Sequence, residues 1–218
     1  MNTPLESERG LPGLTFPDTA LRRLAEDLAE EFTGVFSPET VGRYVLESYA
    51  GLMRTAKFKT YLVTLTGRFV KDRLTALAQS MGAVAKDVPE VLFVCVENAG
   101  RSQMAMALLN DLAQGKVHVR SAGSAPATDI SDNVKTVMSE LNLDLSEQFP
   151  KPLTDDVVQA ADVVITMGCG DACPVYPGKR YLDWELPDPG LLDVDGVRQV
   201  RDDLRRRVEQ LLHELAAS

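Results

Sequence analysis

The chain is poor in the residues that build covalent or metal-held scaffolds. It has three cysteines, two histidines and one tryptophan among 218 residues. Three cysteines are too few for a disulfide framework. An odd count, with no recognisable secretory signal, points to reactive thiols in a reducing cytoplasm. A zinc half-site at Cys169 and Cys173 would need further ligands, and His118 and His213 are the only imidazoles, so no metal is expected. No apolar run approaches the roughly 20 residues that cross a bilayer, so no membrane partner is expected. The N-terminus, MNTPLESERGLPGLTFPD, lacks a basic flank followed by an apolar core. Positive charge is also in deficit. The net charge is −9; residues 1–88 hold 11 basic and 11 acidic side chains, and the remainder holds 12 basic and 21 acidic. That imbalance argues against a nucleic-acid partner for the second part. It leaves a small oxyanion open, because backbone N–H groups and one arginine can build a local positive site.

What is present falls into two patterns. Residues 1–16, rich in Pro, Gly and charge, are expected to form a mobile leader. Asp18 is placed to cap a helix to about Phe32, with Leu21, Leu24, Leu28 and Phe32 on one face. Ser37-Pro38-Glu39 is a helix start, followed by Val41, Val45, Tyr49, Leu52 and Met53 at helical spacing. A third helical pattern runs from about Thr60 to Gln79. Three amphipathic helices with short connections imply an all-α three-helix bundle over residues 1–85. Met81–Pro89 reads as a linker.

From residue 89 to 218 strands alternate with helices. VLFVCV (91–96), Val117–Ser121, Asp162–Met167 and Lys179–Asp183 read as strands. Gln103–Ala113, Ser131–Leu141, Thr154–Ala160 and Val197–Leu215 read as helices. The alternation predicts an α/β domain, a parallel sheet flanked by helices. Ligands of such sheets sit beyond the carboxyl ends of the strands. Cys95 falls there, and so does the loop after DVVITM.

The stretch VLFVCVENAGRSQMAMA carries the chemistry. Cys95 ends a buried strand and Arg101 follows after five residues, at the start of a helix. A helix N-terminus, a guanidinium and hydroxyl donors favour a nucleophilic thiolate. The N–H groups of Val96, Glu97, Asn98, Ala99, Gly100 and Arg101 can converge on a tetrahedral anion, and Arg101 can grip two of its oxygens. Ser102 is placed to donate to the sulfur. Gly100 is expected to supply backbone freedom, and Asn98 to hold the loop's shape by hydrogen bonding.

Two further elements complete the candidate site. MGCGDACP places Cys169 and Cys173 in the loop after another strand, where both can face Cys95. Three thiols with no second use suggest a relay in which each thiolate attacks the disulfide or adduct before it. WELPDPG sets Asp188 rigidly between two prolines, fit to protonate a departing oxygen.

FVCVENAGRSQMA, SAGSAPA, DVVITMGCGDACP and GKRYLDWELPDPG together resemble arsenate reductases built on the low-molecular-weight protein tyrosine phosphatase fold, over Pro89 to Ser218. The resemblance implies a four-stranded parallel sheet, Cys95 as nucleophile, Arg101 as oxyanion binder, Asp188 as general acid, and Cys169 with Cys173 as redox cysteines. It implies arsenate as substrate, with phosphate or sulfate as competing anions. No bound cofactor is expected, only an external thiol reductant, either thioredoxin or mycothiol with mycoredoxin. Residues 1–85 resemble the three-helix domain that precedes this module in some actinobacterial proteins. Gly100 stands where the family often carries a second cysteine, and Gly190 where its phosphatases carry an aromatic. Both departures point away from phosphotyrosine, and the close spacing of Cys169 and Cys173 leaves the electron donor open. The rivals are a phosphotyrosine phosphatase, a mycothiol-dependent reductase using Cys95 alone, and a DNA-binding role for the basic run Arg54, Lys57, Lys59, Arg68, Lys71 and Arg73. That run reads rather as a solvated helix face, on a bundle suited to oligomerisation or reductant docking.

Overall fold

The computed structural model describes residues 19–55, 61–168 and 173–217. The expected leader and Asp18 lie outside them, as do Lys57, Lys59, Thr60 and Cys169. The chain divides into two units, Met1–Ala83 and Val84–Ser218.

In the first unit, α1 (Thr19–Glu31), α2 (Pro38–Met53) and α3 (Leu62–Ser80) pack on one another. Ser37 caps α2, its hydroxyl accepting from the Thr40 N–H at 3.2 Å, and Pro38 takes the first helical position, where its missing N–H costs nothing. Leu21, Ala25, Leu28, Val41, Val45, Val70 and Leu74 form the core. The basic run does not form a single face. Arg73 is buried, donates to the Ser48 hydroxyl at 2.9 Å and stacks 4.4 Å over the Tyr44 ring, while Lys71 pairs with Glu31 at 2.5 Å.

The second unit is the expected α/β layer structure. Strands β1 (Glu90–Cys95), β2 (His118–Gly123), β3 (Val163–Met167) and β4 (Arg180–Asp183) form one parallel sheet in the order β2-β1-β3-β4. Helices α4 (Arg101–Ala113), α5 (Asp132–Ser139), α6 (Asp155–Ala160) and α7 (Val194–Ala216) flank it. β1 is buried along its whole length, as its unbroken apolar run requires. Its side chains alternate between faces. Val91, Phe93 and Cys95 join one core with Met104 and Leu109 of α4 and Val200, Leu204 and Val208 of α7. Cys95 therefore faces the layer in which α4 begins.

Part of the expected linker belongs to this unit. Lys86 donates to Asp162 Oδ1 at 2.9 Å and to the Ala160 carbonyl, and the Glu90 N–H donates to Asp162 Oδ2 at 2.9 Å. At the same end of the sheet, the buried carboxylate of Glu90 pairs with buried Arg120. α7 begins at Val194, three residues before the expected Val197. Asp193 caps it by accepting from the Gly196 N–H at 2.8 Å, a start signal hidden among several aspartates. The sequence reading also passed over a short 3-10 turn at Pro189–Leu191.

Candidate active site: a backbone nest below a proline-bounded loop

β1 and β3 pair in parallel with Cys95 opposite Met167, and β1 and β2 pair with Cys95 opposite Gly123. Three strand ends thus bring three chain segments to the mouth of one loop, residues 95–102.

The six carbonyls from Cys95 through Gly100 are held from outside that loop. The oxygens of Cys95, Val96, Glu97 and Ala99 accept from the N–H groups of Ser124, Ala125, Ala127 and Ser131 at 2.9–3.1 Å. The Asn98 oxygen accepts from the Gln103 amide at 3.1 Å, and that of Gly100 from the Met104 N–H at 3.0 Å. In a trans peptide the carbonyl of one residue and the N–H of the next point in opposite directions. Six carbonyls fixed outward therefore turn the N–H groups of Val96, Glu97, Asn98, Ala99, Gly100 and Arg101 inward. Buried backbone donors demand acceptors, and a nest of them at a helix N-terminus is suited to an anion.

Asn98 is the centre of this construction. Its φ of 50° is the left-handed conformation that the curve requires. Its N–H donates to Cys95 Sγ at 3.2 Å, and its side-chain amide donates to the Ser102 hydroxyl at 2.8 Å. Its side-chain oxygen accepts from Gln103 at 3.0 Å and from the Lys151 N–H at 2.8 Å. Ser102 Oγ lies 2.9 Å from Cys95 Sγ. With Asn98 already donating to that oxygen, the hydroxyl proton is free to point at the sulfur. Cys95, Asn98, Ser102 and Gln103 are all buried.

The positive φ of the nest belongs to Asn98, while Gly100 has φ −139° and ψ −96°. Gly100 also serves close approach, since a Cβ there would stand 3.2 Å from Pro189 Cγ. Two glycines that the sequence reading did not single out serve the nest in the same way. A Cβ on Gly123 would fall 2.7 Å from the Val96 oxygen, and one on Gly168 would fall 2.9 Å from Arg101 Nη1. Gln103 was also missed as a support. Its place one residue past Ser102 was the available signal.

Above the nest runs the segment from Trp184 to Leu192. Arg101 Nη2 lies 3.5 Å from Asp188 Oδ2, and Nη1 donates to the Leu186 carbonyl at 3.4 Å. Asp188 Oδ1 accepts from the Gly190 N–H at 3.0 Å, capping the 3-10 turn. The carboxylate remains exposed, while the Arg101 side chain is mostly covered.

Cys95 and Cys173 are both buried. Cys173 lies in the segment between β3 and β4, with Sγ 3.9 Å from the Pro174 oxygen. Cys169 lies outside the described residues. Its predecessor Gly168 is the glycine packed on Arg101, so the chain leaves β3 directly beside the nest. Among the described residues no group of three metal-ligating side chains gathers, and no helix is long and apolar enough to cross a membrane.

A cysteine in a backbone nest, with an arginine and an aspartate at its mouth, defines an enzyme class that works on tetrahedral oxyanions. Residues 90–218 match the low molecular weight phosphotyrosine protein phosphatase family, and the chain belongs to it. Residues 21–78 match the protein-tyrosine-phosphatase-like N-terminal domain. Among solved structures, the chain is similar to a thioredoxin-dependent arsenate reductase of Corynebacterium glutamicum, with 50% identity, TM-score 0.81, and coverage of 90% of this chain and 96% of that one. A Halobacterium salinarum relative is 38% identical over 128 residues, 56% of this chain and 89% of its own length. A glutaredoxin arsenate reductase of Synechocystis is 32% identical over 130 residues, 58% of this chain and 98% of its own.

Proposed function

We propose that the protein reduces arsenate to arsenite, with Cys95 as nucleophile and thioredoxin as electron donor. The observation that carries the reading is the loop around Cys95, whose sulfur accepts from the Asn98 N–H and lies beside the Ser102 hydroxyl while the carbonyls from Cys95 to Gly100 are bonded elsewhere. The 50% identity to a thioredoxin-dependent arsenate reductase over nearly the whole of both chains supports the substrate and the donor.

The nest and the Arg101 fork hold arsenate with one oxygen opposite the sulfur. Cys95 thiolate attacks arsenic, forming an S–As bond, while Asp188 gives its proton to a departing hydroxyl, which leaves as water. Cys169 thiolate then attacks Cys95 Sγ. The S–As bond breaks with its electron pair passing to arsenic, and arsenite leaves. Cys173 thiolate attacks Cys169, freeing Cys95 and leaving a Cys169–Cys173 disulfide. A reductant dithiol then restores it with two electrons. Arg101 and Asp188 touch in the ligand-free site, and an incoming oxyanion takes the guanidinium as a third partner. Phosphate and sulfate compete for the same nest.

Arsenate reduction coupled to NADPH through thioredoxin and its reductase tests this directly. Turnover with thioredoxin that Cys169→Ser abolishes supports the relay. Turnover only with mycothiol and mycoredoxin would transfer the chemistry to Cys95 alone. The family's phosphatase members motivate a second reading, phosphotyrosine hydrolysis. It needs Cys95, Arg101 and Asp188 but neither later thiol, so phosphoester turnover unaffected by Cys169→Ser, without arsenate reduction, would favour it.

A further inference from the structure

The segment that carries Asp188 touches the nest at three points, and they differ in stiffness. Leu186 and Asp188 both meet the guanidinium of Arg101, which sits on a long, jointed side chain and can follow them. The third contact is the ring of Pro189 against the backbone of Gly100. Cγ, Cβ and Cδ lie 3.2, 3.4 and 3.5 Å from where a Gly100 Cβ would stand. Neither partner has a rotamer to adjust. On its other side Leu186 and Leu192 pack on the core, Arg207 donates to the Glu185 carbonyl at 3.3 Å, and a hollow of about 360 Å³ opens beside Leu186, Pro187, Leu192, Gly196 and Val200. Of the three contacts with the nest, the one between Gly100 and Pro189 is the stiff one, and it limits how deeply Asp188 seats.

We infer that Gly100 and Pro189 are a matched positioning pair. Their contact sets the height of the neighbouring Asp188 carboxylate over the nest, and so its reach to the departing oxygen. The inference rests on Asp188 serving as the acid in the reading above. A side chain at position 100 would press on Pro189, and the segment would have to give by a few tenths of an ångström. Asp188 would then stand away from the leaving group, while the nest, whose carbonyls are held from the opposite side, would keep its anion. General-acid transfer is steep in distance, and a misplacement of about 1 Å costs about a hundredfold. A displacement of a few tenths is expected to cost about tenfold.

The test is a double-mutant cycle on the full chain with Gly100→Ala, Pro189→Ala and both together. Removing Cγ and Cδ from position 189 makes room for the methyl group at 100. Gly100→Ala is expected to lower kcat for arsenate about tenfold, with little change in the phosphate inhibition constant. The double variant is expected to recover most of that loss relative to Pro189→Ala alone. Losses that simply add, or a phosphate constant that worsens as much as kcat, would overturn the inference. Hydrolysis of an aryl phosphate is measured in parallel, with good and poor leaving groups. There Gly100→Ala should penalise the poor leaving group more. Crystal structures of the three variants complete the set. The Arg101–Asp188 separation, 3.5 Å here, should lengthen in Gly100→Ala and return in the double variant. If the wild type fails to reduce arsenate, the functional reading fails, while the phosphate and crystallographic arms still decide the pairing.

Discussion

The two loops that meet over Cys95 are built on opposite principles. In residues 95–102 every backbone carbonyl through Gly100 is occupied, and Asn98 alone makes five hydrogen bonds. In residues 184–192 the fixed points lie at separate places: the Trp184 N–H on the Thr166 carbonyl at 2.8 Å, Arg207 on the Glu185 carbonyl, Arg101 and Gly100 beneath, the Asp188–Gly190 turn, and Asn133, which donates to the Leu192 oxygen at 3.2 Å. Leu191, at its outer edge, is 87% exposed. The first loop must present six donors to one anion and cannot bend without losing several. In the proposed reaction the second delivers a proton from Asp188 and lets product leave.

Removing the nucleophile should erase the difference between the loops. Cys95→Ser is expected to lower arsenate turnover by more than about 10⁴-fold, because every later step depends on that sulfur. Retained turnover would place the chemistry elsewhere. The proline-bounded loop is broken separately by Asp188→Asn, expected to lower kcat about 10²- to 10⁴-fold while leaving the phosphate inhibition constant nearly unchanged. A binding defect of the same size would mean that Asp188 belongs to the nest. Asn98→Ala strikes the rigid loop. It strands buried partners and forces an alanine into the left-handed region, so a loss of about 1–3 kcal/mol is expected in chemical unfolding, with weaker phosphate binding. Unchanged stability would refute its central place.

The smallest effect lies far from both loops. Glu140 joins α5 to α7, accepting from Arg198 at 2.6–3.1 Å and from Arg201 at 2.9 Å. The hydrogen bond from Arg198 chiefly holds its carboxyl below the ordinary value of 4.5, against a smaller opposing effect of desolvation. A carboxylate whose folded value is depressed stabilises above its unfolded value, and that stability is lost as pH falls through the folded value. Glu140→Gln should therefore lower Tm slightly at neutral pH, and the gap should close on acidification below about 4.5. High salt should narrow it as well. A gap that widens in acid would reverse the assignment.

Much of this was legible in the sequence because it rests on local chemistry. The unbroken apolar run of β1, the Ser37-Pro38 start of α2 and the C-x5-R spacing each encode their structure within a few residues. The parallel sheet flanked by helices follows from the alternation of strands and helices. The remainder depends on contacts between distant segments. Nothing near Gly100 reveals that Pro189, 89 residues later, will lie against it. Gly123 and Gly168 look like ordinary turn glycines until the Val96 carbonyl and the Arg101 guanidinium arrive beside them. Arg73 belongs to a run that reads as a solvated face, yet its helical phase turns it inward onto Tyr44.

The most direct measurement is a single turnover. The fully reduced protein is mixed with arsenate in the absence of any reductant, quenched with an alkylating agent, and analysed for arsenite and for disulfides by mass spectrometry. The expected result is one arsenite per chain with a Cys169–Cys173 disulfide, and a trapped Cys95–Cys169 disulfide when Cys173→Ser is used. Arsenite without any disulfide among these three residues, or no arsenite at all, would contradict the relay from Cys95.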